Sequence, residues 1–179
     1  MRTEPLAAER AAADQLYEEA AAEFGEAMGR LARAYEADPD VRRDLLQDIH
    51  VALWRSFAGY DARCSVRTWV YRVAHNTAAS HVLRQRRARA HALVDLEAIE
   101  RLPDERAERA ADRHETWERI AALIQRLTPL DRQVILSYLE GLDASSIAEI
   151  TGLSPGNVAT KIHRIKHVLA RRFQEGDPR

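Results

Sequence analysis

Residues 143–173 read DASSIAEITGLSPGNVATKIHRIKHVLARRF, and their parsing decides the fold. Asp143 is placed to cap a short helix that ends at Thr151-Gly152, and Ser154-Pro155 opens a second one that reaches about Phe173. Ile147, Ala148, Gly152, Leu153, Val158 and Ile162 stand at the offsets of a helix-turn-helix, with small Ala148 leaving room for the crossing and Gly152 permitting the turn. On the second helix Val158, Ile162, Ile165, Leu169 and Phe173 form the expected buried stripe. Asn157, Thr160, Arg164, His167 and Arg171 face the other way, with Lys161 flanking that row. Hydrogen-bonding groups near the helix start and cations further along are what a major-groove helix requires, because base edges need polar contacts and phosphates need charge. An isolated basic face is usually just solvated. Here, however, Leu153 to Gln174 holds five Lys or Arg and no acid, on a framework with helix-turn-helix spacing.

The rest of the chain is also helical in character. Ala, Leu, Arg and Glu dominate, and no clean two-residue alternation marks a strand, so the expected class is all-α. Upstream of Asp143, helices are expected over Trp117–Leu127 and from Thr128-Pro129 to Glu140, where Gly141 ends the run. Earlier still, the expected helices are Ala11–Ala37, closed by Asp38-Pro39-Asp40, then Val41–Phe57, and Ser65 to about Ala90 after a loop containing Gly59 and Asp61. At 179 residues the chain suits two small helical units. The boundaries read from the pattern are an N-terminal extension of unknown role at 1–22, a three-helix domain at 23–90, a linker at 91–113, a four-helix domain at 114–174 and a tail at 175–179.

Net charge is -1, yet the charges are segregated. Residues 1–48 carry twelve acids and six basic residues, and 62–94 carry seven Arg and no acid. Residues 95–112 then swing back, with seven acids against three Arg. Two acid-free blocks separated by an acidic stretch suggest two surfaces for a polyanion. The single Cys64 cannot form an internal disulfide, and the scattered histidines, His163 and His167 included, make no metal-ligand set. No nucleophile elbow or glycine-rich phosphate loop is present, so neither an enzyme nor a cofactor is expected. The absence of a long apolar run or signal peptide points to a cytoplasmic protein with no membrane insertion.

Two further surfaces are candidates. On the helix from Val41 to Phe57, Val41, Leu45, Ile49, Ala52 and Leu53 form an apolar stripe, while Asp44, Gln47, Val51, Trp54 and Arg55 lie opposite. An outward Val and Trp suggest docking, although periodicity alone equally allows Trp54 to pack on a neighbouring helix. On the helix from Ser65, an inner face of Val66, Val70, Val73 and Thr77 leaves Thr68, Tyr71, Arg72, His75 and Arg86 outward, with Trp69 near the apolar stripe. Aromatic rings interleaved with cations suit unstacked bases and a phosphate backbone.

Taken together, DLLQDIHVALWRSF (44–57), SVRTWVYRVAHNTAASHVLRQRR (65–87) and the whole of 127–173 resemble a bacterial RNA polymerase sigma factor of the small extracytoplasmic-function (ECF) type. The resemblance spans roughly 24–89 and 114–173. It implies a region 2-like domain followed by a region 4-like domain, joined by an acidic linker. It also implies core RNA polymerase, through its clamp coiled coil and flap, and promoter DNA as partners, with an anti-sigma factor as a further candidate. Asp44, Leu45, Gln47, Asp48, Val51 and Trp54 match the segment that grips the clamp. Arg63, Arg67, Trp69, Tyr71, Arg72, His75, Asn76 and Arg86 fall where the minus-ten element is opened and held. Asn157, Thr160, Lys161, Arg164, His167 and Arg171 fall on the minus-thirty-five reader. The family commonly places Thr, a basic residue, Ser and Arg where this chain has Asn157, Ala159, Thr160 and Lys161, so its promoter preference does not carry over. Ile165 likewise replaces a usual small residue. The competing expectation is a helix-turn-helix regulator that acts on duplex DNA without polymerase.

Overall fold

Capping chemistry at successive helix starts sets the order of elements. Asp38 precedes Pro39, and its Oδ1 accepts the amides of Asp40 at 2.9 Å and Val41 at 3.1 Å, so one helix stops and the next begins within a few residues. Ser65 opens another helix through its hydroxyl, which accepts the Thr68 amide at 3.0 Å. Thr128, Asp143 and Ser154 do the same for Asp131, Ser146 and Asn157 at 3.3, 2.7 and 3.3 Å.

The computed structural model describes the backbone of residues 3–89 and 113–175, and side chains within 10–85 and 117–173. The acidic segment 95–112, which makes up most of the expected linker, lies outside the described residues, as do nearly all of the tail and the Arg86 side chain. Among the described residues there are seven α-helices and no strand, as the composition led one to expect. They are α1 (Thr3–Tyr35), α2 (Pro39–Ser56), α3 (Val66–Arg89), α4 (Arg113–Gln125), α5 (Pro129–Leu139), α6 (Ala144–Thr151) and α7 (Pro155–Glu175), with a 3-10 turn at Phe57–Gly59. The chain forms two compact units, Met1–His81 and Val82–Arg179, the division falling inside α3.

In the first unit α1 packs along α2. Phe24, Met28 and Leu31 of α1, Leu45, Ile49 and Leu53 of α2, Phe57 of the turn, and Val70, Tyr71, Ala74 and Ala78 of α3 make the core. Each large apolar side chain buried there contributes about 1.5–3 kcal/mol of transfer free energy. Helix α1 begins well before Ala11 and is continuous to Tyr35. Its N-terminal half belongs to this unit: Ala13 and Ala20 are buried, and the Tyr17 hydroxyl lies 3.1 Å from His50 Nδ1.

The inner face of α3 differs from the sequence expectation. Thr68, Tyr71 and His75, expected outward, are buried, and His75 is completely so. The helix is turned so that Val70, Tyr71, Ala74, His75, Ala78 and His81 face inward, while Val66, Val73 and Thr77 are only half-buried. Polar partners at and just past the end of α1 make this possible: the Tyr35 hydroxyl lies 3.1 Å from His75 Nδ1, and Glu36 Oε2 lies 3.1 Å from His81 Nε2. Burial drives the His75 pKa down from 6.5 to about 3, so its imidazole is neutral.

In the second unit α5 is the central helix, buried from Asp131 through Ser137. The fully buried Arg132 donates from Nη2 to the carbonyls of Gln125, the last residue of α4, and of Leu127 in the turn after it. Gly141, with φ of 78°, ends the turn after α5. Gly152, with φ of 75°, makes the left-handed turn from α6 into α7. Helices α6 and α7 pack on each other and both pack on α5. The buried stripe of α7 is Val158, Ile165 and Val168, with Ile162, Leu169 and Phe173 half-buried.

Candidate nucleic-acid interface

The recognition-helix candidate is α7, and its caps fix its direction. The Asp143 carboxyl is held below its ordinary pKa chiefly by the Ser146 backbone amide, which keeps the α6 cap charged. The left-handed Gly152 then turns the chain into α7. Asn157, Thr160, Arg164, His167 and Arg171 are all exposed, as expected. The Thr160 hydroxyl donates to its own helix at Gly156 O over 3.0 Å, which favours one rotamer of this exposed side chain. Lys161 differs from the others: its ammonium lies 2.6 Å from Asp131 Oδ1 on α5. On the opposite flank Lys166 reaches the Tyr138 hydroxyl at 3.2 Å and lies 5.1 Å from its ring centre. There a groove of about 610 Å³ is lined by Tyr138, Leu142, Ile162, His163 and Lys166 among others.

The second surface lies at the start of α3. Trp69 is half-buried, and its indole donates to Ser56 Oγ at 2.9 Å while its ring sits 5.4 Å from Tyr60 and 6.0 Å from the Arg72 guanidinium. Tyr60 in turn donates from its hydroxyl to the Cys64 carbonyl at 2.7 Å and packs edge-on against Phe57. The loop from Tyr60 to Ser65 is therefore tied down from both sides, with Ala62 in the left-handed region at φ 58°. Arg63 is exposed and pairs with Asp61 at 2.9 Å; Arg67 and Asn76 are exposed on α3. Tyr71 and His75 are core residues and present nothing to a base.

The third surface is the outer face of α2. Asp44, Gln47, Asp48, Val51 and Trp54 are exposed, whereas Leu45 is fully buried and belongs to the core rather than to any docking face. Trp54 combines both readings left open by periodicity. It is 38% exposed, yet its indole donates to Asp14 Oδ1 of α1 at 2.7 Å, and the Arg10 guanidinium sits 6.0 Å from its ring. No local pattern singles out Asp14 or Asp131, because their partners lie 40 and 30 residues away. Among the described residues no three His, Cys, Asp or Glu side chains are grouped to hold a metal ion, and no helix is long and apolar enough to cross a membrane.

Comparison with known proteins agrees with this geometry. Residues 11–88 match the profile of Sigma-70 region 2, and residues 117–167 match that of Sigma-70, region 4. The chain is 27% identical over 145 residues to the ECF RNA polymerase sigma factor SigX of Bacillus subtilis (strain 168), a match covering 76% of this chain and 73% of that protein. It is 27% identical over 146 residues to the RNA polymerase sigma-H factor of Pseudomonas aeruginosa, covering 76% and 75%. Among solved structures, CnrH in complex with the cytosolic domain of CnrY superposes with a TM-score of 0.65 at 22% identity, over 95% of this chain and 99% of that one. Sigma factor RpoE, bound to the anti-sigma factor NepR from Bartonella quintana, superposes with a TM-score of 0.65 at 16% identity, over 90% and 98%. At these identities the two superpositions show the fold.

Proposed function

The chain belongs to the Sigma-70 family of RNA polymerase sigma factors, in its ECF group, and from that premise we propose how it divides promoter recognition among its three surfaces. It is an alternative sigma factor that directs transcription initiation. Asp44, Gln47, Asp48, Val51 and Trp54 on α2 dock on the polymerase clamp coiled coil, and the second unit engages the flap. Arg63, Arg67, Trp69, Arg72 and Asn76 hold the opened minus-ten element. Asn157, Thr160, Arg164, His167 and Arg171 read the minus-thirty-five element in the major groove.

The observation that carries this reading is Trp69. Its ring is fixed by Ser56 and Tyr60 beside Arg72, which is the arrangement that stacks an unpaired base next to its phosphate. Unstacking costs a few kcal/mol per step, so a small protein sustains a melted promoter only when polymerase contacts and base contacts act together. The protein performs no covalent chemistry, works in the cytoplasm, and binds promoter DNA weakly without core enzyme. An anti-sigma factor is a further partner, by analogy with the RpoE relative. A helix-turn-helix regulator acting alone would leave the region 2 match over residues 11–88 without a role.

The test is promoter opening. With core polymerase and a promoter duplex carrying 2-aminopurine in the minus-ten element, wild type should give the fluorescence rise of unstacking, and Trp69→Ala should lose most of it while still binding core. Equal opening by both proteins would remove Trp69 from the mechanism.

A further inference from the structure

Lys161 stands at the edge of the buried stripe of α7, with its side chain 35% exposed, whereas Asn157, Thr160, Arg164 and His167 are exposed. Val158, Lys161, Ile165 and Val168 follow spacings of three, four and three, which keep them on one side of a helix. The other three are at most 1% exposed. It is the buried carboxylate of Asp131 that needs a counter-charge, and the half-exposed lysine supplies it. Asp131 is 5% exposed; its Oδ2 accepts from Thr128 Oγ1 at 2.9 Å, and its backbone amide donates to the same Thr128 oxygen at 3.3 Å. The remaining oxygen, Oδ1, takes the Lys161 ammonium at 2.6 Å. The carboxylate is thus anchored to the first turn of α5, a helix that is itself buried, and the lysine is directed toward it. By contrast Arg164 and Arg171 lie on the exposed side of α7.

We propose that Lys161 is a positioning residue and not a DNA contact: its ion pair with Asp131, clamped by Thr128, sets the rotation of α7 about its own axis and so determines which side chains the helix delivers to the groove. Apolar packing alone specifies that rotation weakly, since the half-buried Ile162 and Leu169 on one side would accept a small turn of the helix. The ion pair lies on the other side of the stripe and opposes that turn. Asn157, Thr160 and Arg164 are thereby held in register with base edges, while the lysine itself supplies no charge to the phosphates. This inference rests on the reading of α7 as the promoter-reading helix.

The experiment uses the full-length chain and two probes. On a random-sequence duplex, without polymerase, Lys161→Met should keep the wild-type slope of log affinity against log salt, whereas Arg164→Ala should lose about 0.9 of slope, the value for one phosphate contact. On a promoter selected from genomic DNA by the wild-type holoenzyme, Lys161→Met and Asp131→Asn should each lower the preference for promoter over random duplex by about tenfold, a usual size for coupling between touching residues. The double variant should be no worse than either single one, and Lys161→Arg should restore most of the preference. A salt slope that falls in Lys161→Met, or losses that simply add in the double variant, would overturn the proposal. If Asp131→Asn does not fold, the slope of Lys161→Met still decides. If the wild-type holoenzyme selects no promoter, the sigma reading fails separately, and the random-duplex slope still reports whether Lys161 touches phosphate.

Discussion

His75 provides a sharp test of the packing of the first unit. It is fully buried against the Tyr35 hydroxyl, and burial lowers its pKa from 6.5 to about 3. In the folded protein the imidazole therefore stays neutral down to strongly acidic pH, while in the unfolded chain it takes up a proton near pH 6.5. A histidine whose folded pKa is depressed contributes stability that is complete above the unfolded value and is lost as pH falls toward the folded one. At about pH 5 the unfolded state gains roughly 1.5 pH units' worth of proton binding that the folded state lacks, a loss of about 2 kcal/mol relative to neutral pH. That figure hardly depends on the exact folded pKa, because at pH 5 the folded imidazole is neutral in any case. The assay is urea unfolding followed by tryptophan fluorescence in a Trp117→Phe background, which leaves Trp54 and Trp69 as reporters of the first unit alone. Between neutral pH and about pH 5, the parent should lose about 2 kcal/mol more stability than the same protein carrying His75→Gln. An identical pH dependence for the two proteins would mean that His75 is solvated, and the inward face assigned to α3 would be wrong.

Three other expectations are simpler. Gly152→Ala should lower thermal stability of the second unit by about 1–2 kcal/mol, entirely through the left-handed backbone at φ 75°, since an added Cβ would meet no atom within 4 Å. Asp38→Ala removes the acceptor of two amides at the start of α2 and should cost about 1 kcal/mol in chemical denaturation, with Asp38→Asn close to neutral. Trp54→Ala should weaken binding to core polymerase by at least about tenfold in a fluorescence titration, while circular dichroism stays unchanged because the ring is partly exposed.

What could be read from the chain without coordinates was what depends on near neighbours. Each cap pairs a side chain with an amide two or three residues on, so Thr128, Asp143 and Ser154 announced their helices, and Gly152 announced its turn; Asp38 was legible only as the end of α1, and its capping of α2 came from the structure. The exposed row of α7 was equally legible, because Val158 and Ile165 contrast strongly with Asn157, Arg164 and Arg171. Helix α3 was misjudged because its buried face is built from Ala74, His75, Ala78 and His81, residues that carry little apolar contrast, while Val66 and Val73 drew the eye to the wrong side. Its histidines are inward because Tyr35, the last residue of α1, and Glu36 just after it receive them. The same limit hid the start of α1 before Ala11 and the packing of its first half, whose alanines show no stripe, and the Asp14–Trp54 and Lys161–Asp131 pairs, which span separations that no periodicity reports.

The most direct measurement of the central claim is to incubate purified core RNA polymerase with this protein on genomic DNA and sequence the 5′ ends of the transcripts. Start sites should cluster downstream of one shared pair of upstream elements, appear only when the protein is present, and vanish with Trp54→Ala. Transcripts that start at the same places with core enzyme alone, or no stable association between the protein and core, would contradict it.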